Sequence, residues 1–182
     1  YVFIERDGVI TVDQDSSVKS VDELAFMPFS FEALETLHRH GFKPIIITMQ
    51  PGLRDGTITR EALREINQRM IEIISENEGL IHDIFVCPDQ GIDWGKFKYP
   101  SSNILRLAAG KHKIGLSKTF MLTNQVEALQ AAWEAGCKTI FIRSGKVYEA
   151  KRKLMEIDQK PDYNVRDVLS AALKVVDETK NA

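Results

Sequence analysis

Five short apolar segments, spaced along the chain, most constrain how it can fold. Each is rich in β-branched or aromatic residues and is followed by polar residues, glycine or proline. The segments are residues 1–4, 43–49, 82–88, 118–124 and 138–144. Because their apolar character is continuous rather than alternating, they predict strands that are covered on both faces, as the strands of parallel sheets are.

Amphipathic segments alternate with the predicted strands. Apolar residues at helical spacing predict helices over residues 31–40, 59–77, 102–109, 125–135 and from residue 164 onward. Thr59, Ser102, Asn124 and Asn164 stand at the starts of the last four, where such side chains cap helices, and Glu127 follows Asn124 at the spacing of a capping box. The alternation predicts an α/β fold, a Rossmann-like, doubly wound and mainly parallel sheet with helices on both faces.

Length and charge narrow the classes of protein that remain. The 182 residues, 43% of them hydrophobic, suit a single domain over residues 1–182, with loop excursions near 11–30 and 89–101. The net charge of −2 does not suggest nucleic-acid binding, and no apolar run approaches the roughly 20 residues that span a bilayer. The two cysteines are far apart in sequence, so we expect a reducing, cytoplasmic location.

Polar side chains follow three of the predicted strands. Glu5 and Asp7 follow the first, Thr48 and Gln50 end the second, and Asn124 ends the fourth. Ligands of parallel α/β sheets bind beyond the carboxyl ends of the strands. A buried glutamate is costly unless it is paired, which favours a functional site at Glu5 and Asp7 over a solvated turn. Asn124 has the plainer alternative of being a helix cap.

The order of these motifs resembles the haloacid dehalogenase (HAD) superfamily of phosphatases. The residues that carry the resemblance are "RDGVI", "IIITMQPG", the lysine-bearing loop "GKFKYPSSN" and "LTNQVEALQAAWEAG". Within the superfamily the chain is most similar to the branch of histidinol-phosphate phosphatase and D-glycero-D-manno-heptose 1,7-bisphosphate phosphatase. The resemblance implies one domain without a separate cap, and Mg²⁺-dependent hydrolysis of a phosphorylated small molecule.

The resemblance also implies a role for each residue of the strand-end cluster. Glu5 takes the position of the family's nucleophilic aspartate, and Asp7 that of its general acid. Thr48 and Gln50 match residues that bind phosphoryl oxygens. Glu5, Asp7 and Asn124 take the positions of the magnesium ligands.

The lysine-bearing loop leaves two alignments open. From the helix side, Lys98 falls on the family's arginine and Tyr99 on its phosphate-binding lysine, whereas a two-residue insertion puts Lys96 on that lysine. Lys96 and Lys98 are therefore both candidates for phosphate binding, and both could equally be solvated loop lysines. Of the zinc loop that the branch often carries, only Cys87 matches, so we expect no structural zinc.

Three substitutions depart from the family pattern, because Glu5, Asn124 and Ala128 stand where it has aspartates. The extra methylene of Glu5 adds about 1.5 Å of reach, and a misplacement of about 1 Å can cost on the order of 100-fold in rate. Mg²⁺ sites use one or two carboxylates, so a weakened magnesium site is expected.

Three hypotheses follow from this pattern. The leading one is a phosphatase-like protein with impaired or absent activity that can still bind a phosphorylated small molecule. The alternative is an active Mg²⁺-dependent phosphatase of sugar phosphates, with Glu5 as nucleophile and Asp7 as general acid. The third is a non-catalytic subunit that binds a protein partner through the aromatic residues of 26–31 and 94–99.

Overall fold

A parallel sheet forms the centre of the computed structural model, which describes residues 1–13, 18–89, 91–144 and 147–180. Its strands are β1 (Val2–Glu5), β2 (Pro44–Met49), β3 (Asp83–Cys87), β4 (Phe120–Thr123), β5 (Lys138–Ile142) and β6 (Tyr163–Val165). They lie in the order β3-β2-β1-β4-β5-β6, and every neighbouring pair is parallel. The predicted parallel α/β fold and its five expected strands are confirmed, and β6 is an addition to them.

The helices connect these strands in chain order. They are α1 (Ser30–Arg39), α2 (Gly52–Asp55), α3 (Arg60–Glu76), α4 (Trp94–Phe97), α5 (Asn103–His112), α6 (Val126–Ala135), α7 (Val147–Glu156) and α8 (Val168–Lys180). Two single-turn 3₁₀ helices occupy Val21–Glu23 and Leu116–Lys118. None of the helices in the described ranges combines the length and the apolar character needed to cross a membrane.

Two apolar layers cover the two faces of the sheet. Side chains alternate along each strand, so Phe3 and Met121 face α5 and α6, while Ile4 and Leu122 face α1 and α8. All four side chains are fully buried. This arrangement explains the continuous apolar runs, since both faces of every central strand are in the core.

The expected cap of α3 is confirmed, whereas that of α5 differs in detail. The Thr59 side chain accepts a hydrogen bond from the Ala62 amide at 3.1 Å. Ser102 occupies the N-cap position of α5 but makes no capping hydrogen bond. Its hydroxyl instead accepts a hydrogen bond from Arg106 Nε at 2.9 Å.

The prediction that Asn124 caps α6 is wrong. The helix begins at Val126, with Gln125 at the N-cap position and no capping side chain. Glu127 does not complete a capping box, because its carboxylate pairs with Lys153 Nζ at 2.7 Å. The side chain of Asn124 is therefore available for contacts at the sheet edge.

The prediction that Asn164 opens the last helix is also wrong. Asn164 lies in β6 and pairs in register with Phe141 of β5. The helix begins at Val168, and the Asp167 side chain accepts a hydrogen bond from the Ser170 amide at 2.7 Å. Strand β6 is short and only partly buried, so its sequence carried no continuous apolar run.

The aromatic segments proposed as a partner surface pack largely against the core. In 26–31, the Phe26 and Phe31 rings lie 4.7 Å apart and are partly buried, whereas Phe29 is 47% exposed. In 94–99, the rings of Trp94 and Phe97 are partly buried and pack against the apolar layer that includes α5. Residues 14–17 and Gln90, in the two loop excursions, lie outside the described residues.

Candidate active site

The parallel register brings the predicted site residues to one edge of the sheet. Glu5 ends β1 and pairs with Ile47, so Thr48 of β2 lies one residue beyond it. On the other side of β1, Leu122 pairs with Ile4, which sets Thr123 of β4 beside Glu5. The strand order reverses at β1, and this is where ligands bind in doubly wound sheets.

The side chain of Glu5 is buried at the end of β1. It is only 2% exposed, and its carboxyl accepts a hydrogen bond from the Thr123 hydroxyl. Burial raises the pKa of Glu5 to about 8, against the opposing effect of the Thr123 hydrogen bond, and the negative charge of Asp7 adds to the rise. The Glu5 carboxyl is therefore mainly protonated at pH 7.

Asp7, rather than Glu5, contacts the residues predicted to bind phosphate. Its Oδ2 accepts hydrogen bonds from Thr48 Oγ1 and Gln50 Nε2, both at 3.0 Å. Its Oδ1 accepts two from Arg6, from Nε at 3.1 Å and Nη2 at 3.0 Å. Arg6 is 1% exposed, and its Nη1 donates to Asn67 Oδ1 of α3 at 2.9 Å. The carboxylate of Asp7 is thus held by a buried network of donors.

Tyr99 is the loop residue that lies near Glu5. It is buried, its hydroxyl has no hydrogen-bond partner among the described residues, and its pKa is raised by burial and then by the charge of Glu5. Lys96 and Lys98 are exposed, and Lys98 Nζ lies 5.8 Å from the centre of the Trp94 ring. Neither lysine makes a described hydrogen bond or ion pair with Glu5.

Asn124 joins the site to the turn that follows β1. Its Nδ2 donates to the carbonyl oxygens of Gly8 and Ser144, each at 3.3 Å. Gly8 has a φ of +78°, and a Cβ there would lie 2.3 Å from Asn124 Nδ2, so only glycine fits this approach. The Oδ1 atom of Asn124 is buried without a partner among the described residues.

Comparison with known proteins shows which enzymes the chain resembles. No family model matches the chain. The D-glycero-beta-D-manno-heptose-1,7-bisphosphate 7-phosphatase of Pseudomonas aeruginosa is 29% identical over 148 residues, which cover 80% of this chain and 82% of the relative. The same enzyme of Bordetella bronchiseptica is 28% identical over 144 residues, covering 79% and 80%.

A solved structure agrees over nearly the whole chain. The crystal structure of D,D-heptose 1,7-bisphosphate phosphatase from B. bronchiseptica, complexed with magnesium and phosphate, superposes with a TM-score of 0.87 at 26% identity. The match covers 97% of this chain and 98% of that one. The chain is similar to phosphatases of the HAD superfamily and shares their fold. Within this HAD fold, it is similar to the heptose-bisphosphate phosphatase branch.

The side chains that the resemblance assigns to a magnesium site are mostly engaged. The Glu5 carboxyl is bonded to Thr123, and the Asp7 side chain accepts hydrogen bonds from four residues, of which Thr11 is the most distant at 3.5 Å. Ala128 is fully buried and offers no side-chain ligand. Asn124 Oδ1 is the unpartnered oxygen of the set. Among the residues that the structure describes, no group of three or more His, Cys, Asp or Glu side chains could hold a metal ion.

Sequence analysis missed two residues whose side chains hydrogen-bond to the turn at the candidate site. Asn67 of α3 accepts a hydrogen bond from Arg6, and Ser144 Oγ donates to the Gly8 carbonyl at 2.6 Å. Both lie more than one element away from the turn that they support. Nothing in the local sequence around either residue indicates that contact.

Proposed function

We propose that this chain is a HAD phosphatase-fold protein whose hydrolysis of phosphate esters is strongly impaired. The observation that carries the proposal is the placement of Glu5, which is 2% exposed and bonded to Thr123, and this burial raises its pKa to about 8. A carboxyl group that attacks phosphorus must be ionised and must reach the ester. The raised pKa of Glu5 opposes the first condition, and its burial and bond to Thr123 argue against the second.

The site also lacks positive charge that a phosphatase of the resembled family has, from a magnesium ion and a lysine, and this supports the same proposal. Mg²⁺ needs near-octahedral oxygen ligands, including at least one carboxylate. With Glu5 protonated and only the neutral amide oxygen of Asn124 free, such a site lacks a carboxylate, and the buried Ala128 adds no ligand. Tyr99, instead of a lysine, lies near Glu5. Without metal and lysine, the charge of a transferred phosphoryl group has little to neutralise it.

The names of the relatives support a phosphorylated sugar as the class of ligand. The two relatives from P. aeruginosa and B. bronchiseptica are heptose-1,7-bisphosphate 7-phosphatases. A phosphorylated small molecule of this class is therefore the ligand that we propose for the strand-end site. It also supplies the substrate for an activity assay.

A second candidate function is an active Mg²⁺-dependent phosphatase with Glu5 as nucleophile and Asp7 as general acid. The names of the relatives favour it, and so does the side chain of Asn124. Two carbonyl groups hold its amide nitrogen, which leaves Oδ1 buried and unpartnered, as an oxygen that receives a cation would be.

Introducing aspartates at positions 5 and 124 distinguishes the two functions. The double variant Glu5→Asp/Asn124→Asp shortens the nucleophile and restores a second carboxylate. We expect no Mg²⁺-dependent turnover of D-glycero-D-manno-heptose 1,7-bisphosphate by the wild-type protein. The double variant should raise kcat/KM by on the order of 100-fold above the background, since about 1 Å of misplacement costs that much.

The control for this assay is Glu5→Gln, which removes the carboxyl without changing the length of the side chain. If the wild-type protein turns over the bisphosphate with Mg²⁺, and Glu5→Gln abolishes that turnover, the impaired function is refuted and the active phosphatase stands. A parallel assay with p-nitrophenyl phosphate detects phosphatase activity even if heptose bisphosphate is not the substrate of this protein.

A further inference from the structure

Four hydrogen-bond donors lie within 3.1 Å of one carboxylate at the sheet edge, and the Thr11 hydroxyl is a more distant fifth at 3.5 Å. Arg6 Nε and Nη2 lie 3.1 and 3.0 Å from Asp7 Oδ1, and Thr48 Oγ1 and Gln50 Nε2 each lie 3.0 Å from Asp7 Oδ2. The three residues that carry the four nearer donors are each 1% exposed, whereas the Asp7 side chain is 22% exposed. The donors are therefore the buried wall of the site, and the carboxylate is the member on the solvent side.

Contacts outside this group hold the donors in place. Arg6 Nη1 donates to Asn67 Oδ1 at 2.9 Å, and Gln50 Nε2 also donates to Thr48 Oγ1 at 2.7 Å. The backbone of the turn is fixed as well, since the amides of Ile10 and Thr11 both donate to the Arg6 carbonyl at 2.9 Å. A guanidinium, a hydroxyl and an amide aimed at one point are the donors that bind carboxylate and phosphate oxygens.

We propose that Arg6, Thr48 and Gln50 form an oxyanion site that the chain fills with the carboxylate of its own Asp7. The identity of the external ligand rests on the proposed function: the phosphate group of an incoming ester must displace this carboxylate before it can bind. Thr48 has one hydroxyl proton and donates it to Asp7, so it cannot serve a phosphoryl oxygen at the same time. The Arg6 charge is already neutralised by Asp7.

Removal of the internal carboxylate tests the proposal by rescue. In Asp7→Ala, the buried Arg6 guanidinium loses its counter-ion, and we expect a lower melting temperature in sodium chloride. Sodium acetate or sodium phosphate at the same ionic strength should restore it. An anion that binds only the folded state increases the free energy of unfolding with the logarithm of the ratio of anion concentration to Kd. At an anion concentration of about ten times Kd, the melting temperature should therefore recover by several degrees. The wild-type protein should not respond.

The chain offers a matched control in an exposed ion pair between adjacent residues, Arg166 and Asp167. Arg166 Nε lies 2.8 Å from Asp167 Oδ2, but Arg166 is 80% exposed. Asp167→Ala should lose stability through its helix cap and should show no recovery specific to acetate or phosphate. Equal recovery in both variants, or none in Asp7→Ala, would overturn the proposal.

A second measurement keeps the test valid if Asp7→Ala does not fold. Inorganic phosphate is titrated into the wild-type protein and followed by ³¹P NMR, where we expect no binding in the millimolar range. Binding in that range that is lost in Thr48→Val would show an open site and refute the inference. Both readouts are independent of turnover, so they separate this inference from the proposed loss of activity.

Discussion

The buried carboxyl of Glu5 should couple the stability of the protein to pH. Its ordinary pKa of 4.5 is raised to about 8 in the folded state, first by burial. Between these two values the folded state binds more protons than the unfolded state, so the free energy of unfolding falls as pH rises. The stability that protonated Glu5 gives the folded state is fully present below about pH 4.5. It is lost as the pH rises to about 8, and the total change in the free energy of unfolding is on the order of a few kcal/mol.

Urea unfolding of the wild-type protein and of Glu5→Gln isolates this contribution. The glutamine has no charge to bury, so the variant should gain on the order of 2–4 kcal/mol relative to the wild type between about pH 5 and about pH 8.5. Other titrating groups are common to both proteins and cancel in the difference. A difference between the two proteins that does not change with pH would contradict a buried, protonated Glu5.

The residue types of the site could be predicted, whereas their directions could not. Glu5, Asp7, Thr48 and Asn124 stood out because polar residues directly follow apolar strands. The Glu5 carboxyl contacts Thr123, which is 118 positions away in sequence. The Asp7 carboxylate contacts Thr48, which is 41 positions away. Local sequence carries no information on such packing.

At the scale of elements, the start of α3 should have a measurable effect on stability. Thr59 caps the helix, which carries the Asn67 side chain to Arg6. Thr59→Ala removes an acceptor from a helix N-terminus and should lower the free energy of unfolding by about 1 kcal/mol, within a range of roughly 0.5–2.

Gln125→Ala is the matched control for this cap, because Gln125 occupies the N-cap position of α6 without a capping hydrogen bond. Urea unfolding at an unchanged m-value should show a loss for Thr59→Ala and a change within about 0.5 kcal/mol for Gln125→Ala. Equal losses in the two variants would mean that the Thr59 hydrogen bond does not stabilise α3.

Elements with a strong periodic signal were predictable, and those with mixed exposure were not. The central strands are recognisable in the sequence because both of their faces are buried. Helix α3 is recognisable because it keeps an apolar stripe over its 17 residues. Strand β6 and helix α7 carry many exposed positions and fewer apolar ones. Their placement is decided by pairing with β5 and packing on α6, which are tertiary contacts.

At the scale of the whole molecule, the sheet topology determines where the site lies, and a few side chains determine what reaction it supports. The site lies at β1 because the strand order reverses there, and this follows from the parallel sheet alone. The structural agreement with a heptose-bisphosphate phosphatase, a TM-score of 0.87 at 26% identity, shows how well the scaffold is kept. A few side chains at one edge can change the reaction without disturbing that scaffold, since function depends on the site rather than the fold.

The two cysteines should report the opening of this whole scaffold. Cys87 ends β3 and is fully buried, and Cys137 precedes β5 and is 7% exposed. Burial raises the pKa of Cys87 to about 11 and that of Cys137 to about 12. Because the thiolate is the reactive form, both should react with DTNB at about pH 8 roughly 100-fold or more slowly than unfolded thiols.

Single variants show whether the two thiols are exposed together. In Cys87→Ala and Cys137→Ala, the remaining thiol should react at a rate that rises with urea in parallel with global unfolding. Because Cys87 ends β3 and Cys137 directly precedes β5 of the same sheet, we expect the same dependence on urea in both variants. Rapid labelling of either thiol in the native protein would show instead that its strand opens locally while the rest of the sheet stays folded.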